Sequence, residues 1–139
     1  MNLTTHPRGL LIWAISLIAV GFGLLTIKEG GMILFFNEAA RTAAGNYVPF
    51  VLRFNFLAGF AYVVAGIGLW LQQRWAVWLA VAIATATGLI FAAFGVHVVS
   101  GGAYEPRTVI AMSLRMLVWV TIAAIAWFAG PPPGGRGVR

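Results

Sequence analysis

Neither cysteine nor aspartate occurs in the chain, and its only acids are three glutamates. Without cysteine there is no disulfide, no thiolate metal site and no thiol redox chemistry, so four-helix quinone or thiol oxidoreductases built on paired cysteines are excluded. Without aspartate there is no aspartate-based proton relay. Charge of either sign is scarce: 9% of the 139 residues are charged and 61% are hydrophobic, where a soluble domain carries about 25% charged residues. So few charges cannot clothe a surface that faces water, and lipid must cover most of the outside. The formal charge of +6 comes from cations scattered singly at the ends of apolar runs. There they act as membrane anchors, and a nucleic-acid partner is not expected, since it would need them clustered on one face.

What the chain does have is long apolar runs. The central hairpin, 49–99, joins two of them through the polar turn Gln72-Gln73-Arg74, and one further run lies on each side. Each run is close to the roughly 20 residues that cross about 30 Å of hydrocarbon. The expected fold is an all-α, integral membrane four-helix bundle, one domain over 1–129, with helices at about 9–27, 49–71, 75–99 and 106–128. Pro7, Pro49 and Pro106 suit first helical turns, where a missing N–H costs nothing. A cleaved signal peptide has an apolar core of about 7–15 residues. The first run is longer and is followed by Lys28-Glu29-Gly30-Gly31, so it reads as an uncleaved helix.

Met32 to Phe36 is apolar but too short to span, and Asn37 can cap a two-turn helix that Gly45 ends. This stretch reads as an interfacial connector between helices one and two, with Phe35 and Phe36 dipping into lipid. The tail 130–139, rich in proline and glycine, reads as disordered. Arg8, Arg74, Arg136 and Arg139 fall at one membrane side and Lys28, Arg41 and Arg107 at the other. The positive-inside rule then makes both termini cytoplasmic in a multi-pass membrane protein. Trp13, Trp70, Trp75, Trp78 and Trp127 share the side of the termini, and Glu29, Glu38 and Glu105 the opposite side.

Ala76, Ala80, Ala84, Gly88 and Ala92 recur at steps of four in helix three, and Asn55, Gly59, Tyr62 and Gly66 form a comparable stripe in helix two. Small side chains let a neighbouring backbone approach closely. The stripes are expected to pack inside the bundle, the alternative being a homo-oligomer face. A four-helix chain with a long connector, the segment FNFLAGFAYVVAGIGL at 54–69 and a short Arg74 turn into an alanine-rich helix resembles the DoxX-like family of small bacterial membrane proteins. The resemblance implies a bacterial membrane protein acting as a non-catalytic accessory subunit, or one linked to redox or stress responses. That family often carries an acid in its second helix, where this chain has Asn55.

Arg115 lies nine residues beyond Pro106, about 13 Å into the membrane at 1.5 Å per residue. A charge that deep costs at least a few kcal/mol unless paired or hydrated, and is a functional candidate by default. Two readings stand side by side. In one, Glu29 or Glu105 folds in and forms an ion pair with Arg115. In the other, Arg53, Asn55, Tyr62, His97, Glu105 and Arg115 line a polar pocket in the half of the membrane opposite the termini, fit for a small solute or an ion.

His97 has no second histidine at its membrane face, since His6 precedes helix one, so bis-histidine haem within one chain is ruled out. Met112 and Met116 could join His97 around Cu(I), but methionine at helical spacing is ordinarily packing. No metal or other cofactor is therefore expected. Ser16, Ser100 and Ser113 have no base beside them, and no enzyme activity is expected. The expected partners are the lipid bilayer and other membrane subunits or a second copy of the chain.

Overall fold

The computed structural model describes residues 7–130; His6 and the 131–139 tail lie outside them. Four helices are long and apolar enough to cross a membrane. They are α1 (Pro7–Gly31), α3 (Pro49–Trp70), α4 (Arg74–Val99) and α5 (Pro106–Ala129), and among the described residues there is no strand. Between α1 and α3 lie a π-helical turn (Met32–Phe36) and the short helix α2 (Glu38–Ala44). The fold is an all-α four-helix membrane bundle. Each long helix packs on its neighbours in a ring, α1 on α3, α3 on α4, α4 on α5 and α5 back on α1.

The most extensive of these interfaces is α1 against α3, not the α3–α4 hairpin. Glycine builds it: a Cβ on Gly23 would lie 2.7 Å from the Gly59 carbonyl oxygen, and one on Gly66 would lie 3.0 Å from that of Ser16. Without a hydrophobic drive between helices in lipid, such close backbone approach supplies the attraction. α1 carries Ser16, Ala19, Gly23, Thr26 and Gly30, a small-residue stripe that is buried throughout.

The α4 stripe starts inside the bundle and leaves it. Ala76 and Ala80 are fully buried, Ala84 is nearly so, Gly88 meets Met116, and Ala92 is exposed. A step of four overshoots a 3.6-residue turn by about 40°, so the row has turned away from the core by its fifth member. Ala92 is therefore no packing residue of the bundle.

Helix one also runs on past residue 27. Gly31 keeps right-handed helical angles (φ −65°, ψ −40°), and Gly30 sits against Phe56 where a Cβ would approach to 3.2 Å. The glycine pair is a contact with α3, not a stop. The helix then widens into the π turn, whose last bond runs from the Asn37 N–H to the Met32 carbonyl at 3.0 Å. Arg41 donates to the Ile33 and Leu34 carbonyls (3.2 and 3.3 Å), filling acceptors that the end of a helix leaves open. Asn37 Oδ1 caps α2 by accepting from the Ala39 and Ala40 N–H groups.

Two further turns have one form. After α3 the Gln73 N–H reaches the Gly68 carbonyl and Gln72 holds φ +53°; after α4 the Gly102 N–H reaches the His97 carbonyl and Gly101 holds φ +85°. Both are Schellman caps.

The core divides along the bundle axis. The larger cluster runs from Ile12, Leu69, Ala76 and Ala126 near the termini to Tyr62, Ala84 and Trp119. The smaller one, Val48, Val51, Phe94 and Met112, lies at the connector end. Ring contacts of Trp13 with Trp70 (6.3 Å) and Trp78 with Trp127 (5.4 Å) mark the terminal end. These half-exposed indoles form the belt expected at a membrane surface.

Candidate functional site

A cavity of about 260 Å³ opens at the connector end, lined by Glu29, Tyr47, Asn55, Glu105, Arg107 and Thr108 with apolar walls that include Val51 and Ala111. Each polar side chain is delivered by a helix end. Glu29 comes from the last turn of α1, Tyr47 from the α2–α3 link, Asn55 from the second turn of α3, and Arg107 and Thr108 from the first turn of α5. Pro106 begins α5, and Glu105 just before it accepts at Oε1 from the Asn46 N–H (2.9 Å). Arg107 donates to the Ala43 carbonyl at 2.8 Å.

These two bonds tie the connector down over the α4–α5 turn. Gly45 is required twice, by its φ of +66° and because a Cβ there would overlap the Glu105 carboxylate. Glu29 makes no hydrogen bond or ion pair with any described residue. The lining thus carries two carboxylates against one guanidinium.

Of the six expected pocket residues, Asn55 and Glu105 line this cavity and the other four do not. Arg53 is exposed on the outer side of α3. His97 closes its own turn: Nε2 stands 2.9 Å from the Ala103 carbonyl oxygen, and the Phe50 ring meets the imidazole edge-on. Tyr62 is fully buried deeper in the bundle, stacked between Phe22 and Trp119. Arg115 points across to α1, where it donates to Thr26 Oγ1 at 3.0 Å and lies 5.2 Å from the centre of the Phe22 ring.

The expected ion pair is also corrected, since among the described residues neither Glu29 nor Glu105 pairs with Arg115. Glu105 is held by the connector instead. The weak copper set does not assemble either. Met112 is fully buried beside Asn55 Nδ2 (3.7 Å to its sulfur), Met116 packs on Gly88, and His97 is engaged in the turn. Among the described residues there is no group of three or more His, Cys, Asp or Glu side chains that could hold a metal.

Tyr47, Arg107 and Thr108 were not among the residues the sequence singled out. Arg107 and Thr108 had a signal in their spacing, since the first turn of a helix that follows Glu105-Pro106 must lie beside that acid. Tyr47 had none. Compared with known families, curated proteins and solved structures, the chain matches none.

Proposed function

We propose that this small polytopic membrane protein binds a small amine-bearing solute, without catalysis, in the cavity beneath the connector. The observation that carries the reading is that Glu29 and Glu105 line one cavity with a single cation, Arg107, whose guanidinium is already engaged by a backbone carbonyl. A positive group entering there meets a net negative lining, with Tyr47, Asn55 and Thr108 to orient the rest of it. With both termini cytoplasmic in an inner membrane, the cavity faces the other compartment. Reporter fusions at each terminus and beside Arg41 test that placement, and a shared compartment for all three refutes it.

The binding test uses detergent-purified protein in gluconate buffer, titrated with primary alkylammonium ions from methyl to butyl and, separately, with acetate. The alkylammonium series raises Tm saturably and acetate does not. Glu29→Gln removes the response, whereas an unchanged response in that variant rejects the reading.

A second reading rests on α4, whose Ala92, Ala93 and Gly95 leave a small-residue edge uncovered by the bundle. It is an accessory subunit of a larger assembly, the role that the DoxX-like resemblance implies, with pairing between copies as its simplest form. A stoichiometric companion retained through purification from the native membrane supports it, and a persistent lone monomer ends it.

A further inference from the structure

Arg115 carries a full charge about 13 Å below the start of α5, and its Nε is buried with no partner. The Tyr62 hydroxyl and the Trp119 indole N–H are in the same state, on side chains that are 0% exposed. The three groups belong to one cluster. Arg115 lies over Phe22 (5.2 Å), Phe22 stacks on Tyr62 (5.9 Å), and Tyr62 meets Trp119 (4.6 Å). Arg115 and Trp119 are one helical turn apart, so they share a face of α5.

Among the described residues two other buried side-chain polar atoms lack partners, Asn55 Oδ1 and Thr87 Oγ1. Asn55 belongs to the cavity described above and Thr87 to α4. What remains in the middle of the bundle is a fixed positive charge, two unmet N–H donors and a hydroxyl, with no acid paired to the charge among the described residues.

An unsatisfied buried donor is costly, and an uncompensated charge costs more. Hydrocarbon offers no acceptor to relieve them. The missing component is therefore an acceptor that carries negative charge. We infer that Arg115, Tyr62, Trp119 and Thr26 form a binding site for one small monovalent inorganic anion of the chloride class.

Three features fix that class. The ring centroids stand only 4.6 to 5.9 Å apart, which restricts an occupant to an ion of few atoms. The apolar walls of Phe22 and the Trp119 ring favour an ion that sheds water readily, which disfavours sulfate and phosphate. The depth keeps the site out of reach of a phospholipid headgroup at the surface. The inference stands apart from the amine cavity, whose inner wall at Ala111 lies one helical turn nearer the membrane surface.

The test measures Tm of the detergent-purified protein as gluconate is exchanged for chloride at constant ionic strength. Wild type gains stability saturably with chloride, and an equal exchange for sulfate gives none. Arg115→Gln weakens half-saturation by at least about tenfold, and Tyr62→Phe and Trp119→Phe, which keep the rings and remove the donors, weaken it several-fold. A Tm indifferent to chloride, or an Arg115→Gln variant that responds like wild type, overturns the site.

A chloride response that appears only in Glu29→Gln also overturns it, by giving the guanidinium to that carboxylate. If Arg115→Gln does not fold, the two ring variants decide, and unchanged half-saturation in both is a refutation. The amine reading fails separately, through loss of the alkylammonium response with the chloride response intact.

Discussion

The two ends of this bundle are made of similar apolar helices yet differ in what fills them. Toward the termini, Ile12, Leu69, Ala76 and Ala126 close a continuous core under half-exposed tryptophans. Toward the connector the buried apolar set shrinks to Val48, Val51, Phe94 and Met112, and beside it open the cavity and the α1–α5 contact through Arg115. The first end holds shape through contact between backbones; the second is held by a few directed polar bonds. A membrane protein has little to gain from packing that lipid could equally supply. The polar end carries a cavity lined by charged side chains, whereas the grooves toward the termini are lined almost wholly by apolar ones.

Substitutions that fill space separate the two ends most sharply. Gly66→Val drives a side chain against Val20 and the Ser16 carbonyl and should cost about 3 kcal/mol or prevent folding, read as unfolding in mixed detergent micelles. Along α4 the same logic divides one row. Ala84→Leu, at a buried position, should lose roughly 1–3 kcal/mol through overpacking, whereas Ala92→Leu should change stability by under about 0.5 kcal/mol. Equal losses at the two positions would mean that Ala92 is covered by another chain.

Polar substitutions act on the connector end instead. Glu105→Ala removes the acceptor of the Asn46 N–H and should cost about 1.5 kcal/mol, as for a hydrogen bond to a charged group. Hydrogen exchange should accelerate over α2 and leave α1 and α3 slow. Smaller than the loss at Glu105 are the effects at the two Schellman turns. Gly101→Ala, at φ +85°, should destabilise by about 1 kcal/mol, and Gln72→Gly, at φ +53°, should stabilise by up to about 1 kcal/mol. Thermal melts resolve both signs.

Much of the fold was legible because lipid imposes a simple rule. Uninterrupted apolar runs of spanning length, Pro49 and Pro106 at first turns, and Asn37 before Glu38 each carry local information, and each element forms at that place. The end of α1 misled because Gly30-Gly31 has the composition of a stop, while Phe56, brought up by α3, turns those glycines into a contact. The candidate site was legible only in half. Asn55 and Glu105 share the cavity, but His97 and Tyr62 look equally available in one dimension, and only packing shows the first bound into a turn and the second stacked on Trp119.

The composition and the spacing of apolar runs were by themselves enough to determine a four-helix membrane protein with its acids gathered away from its tryptophans, since hydrocarbon admits no other use of such segments. Which helix pairs with which, and where Arg115 turns, was decided by tertiary structure alone. Close approach through Gly23, Gly59 and Gly66 and the direction of a long side chain depend on facing surfaces, and a one-dimensional pattern does not specify its neighbour.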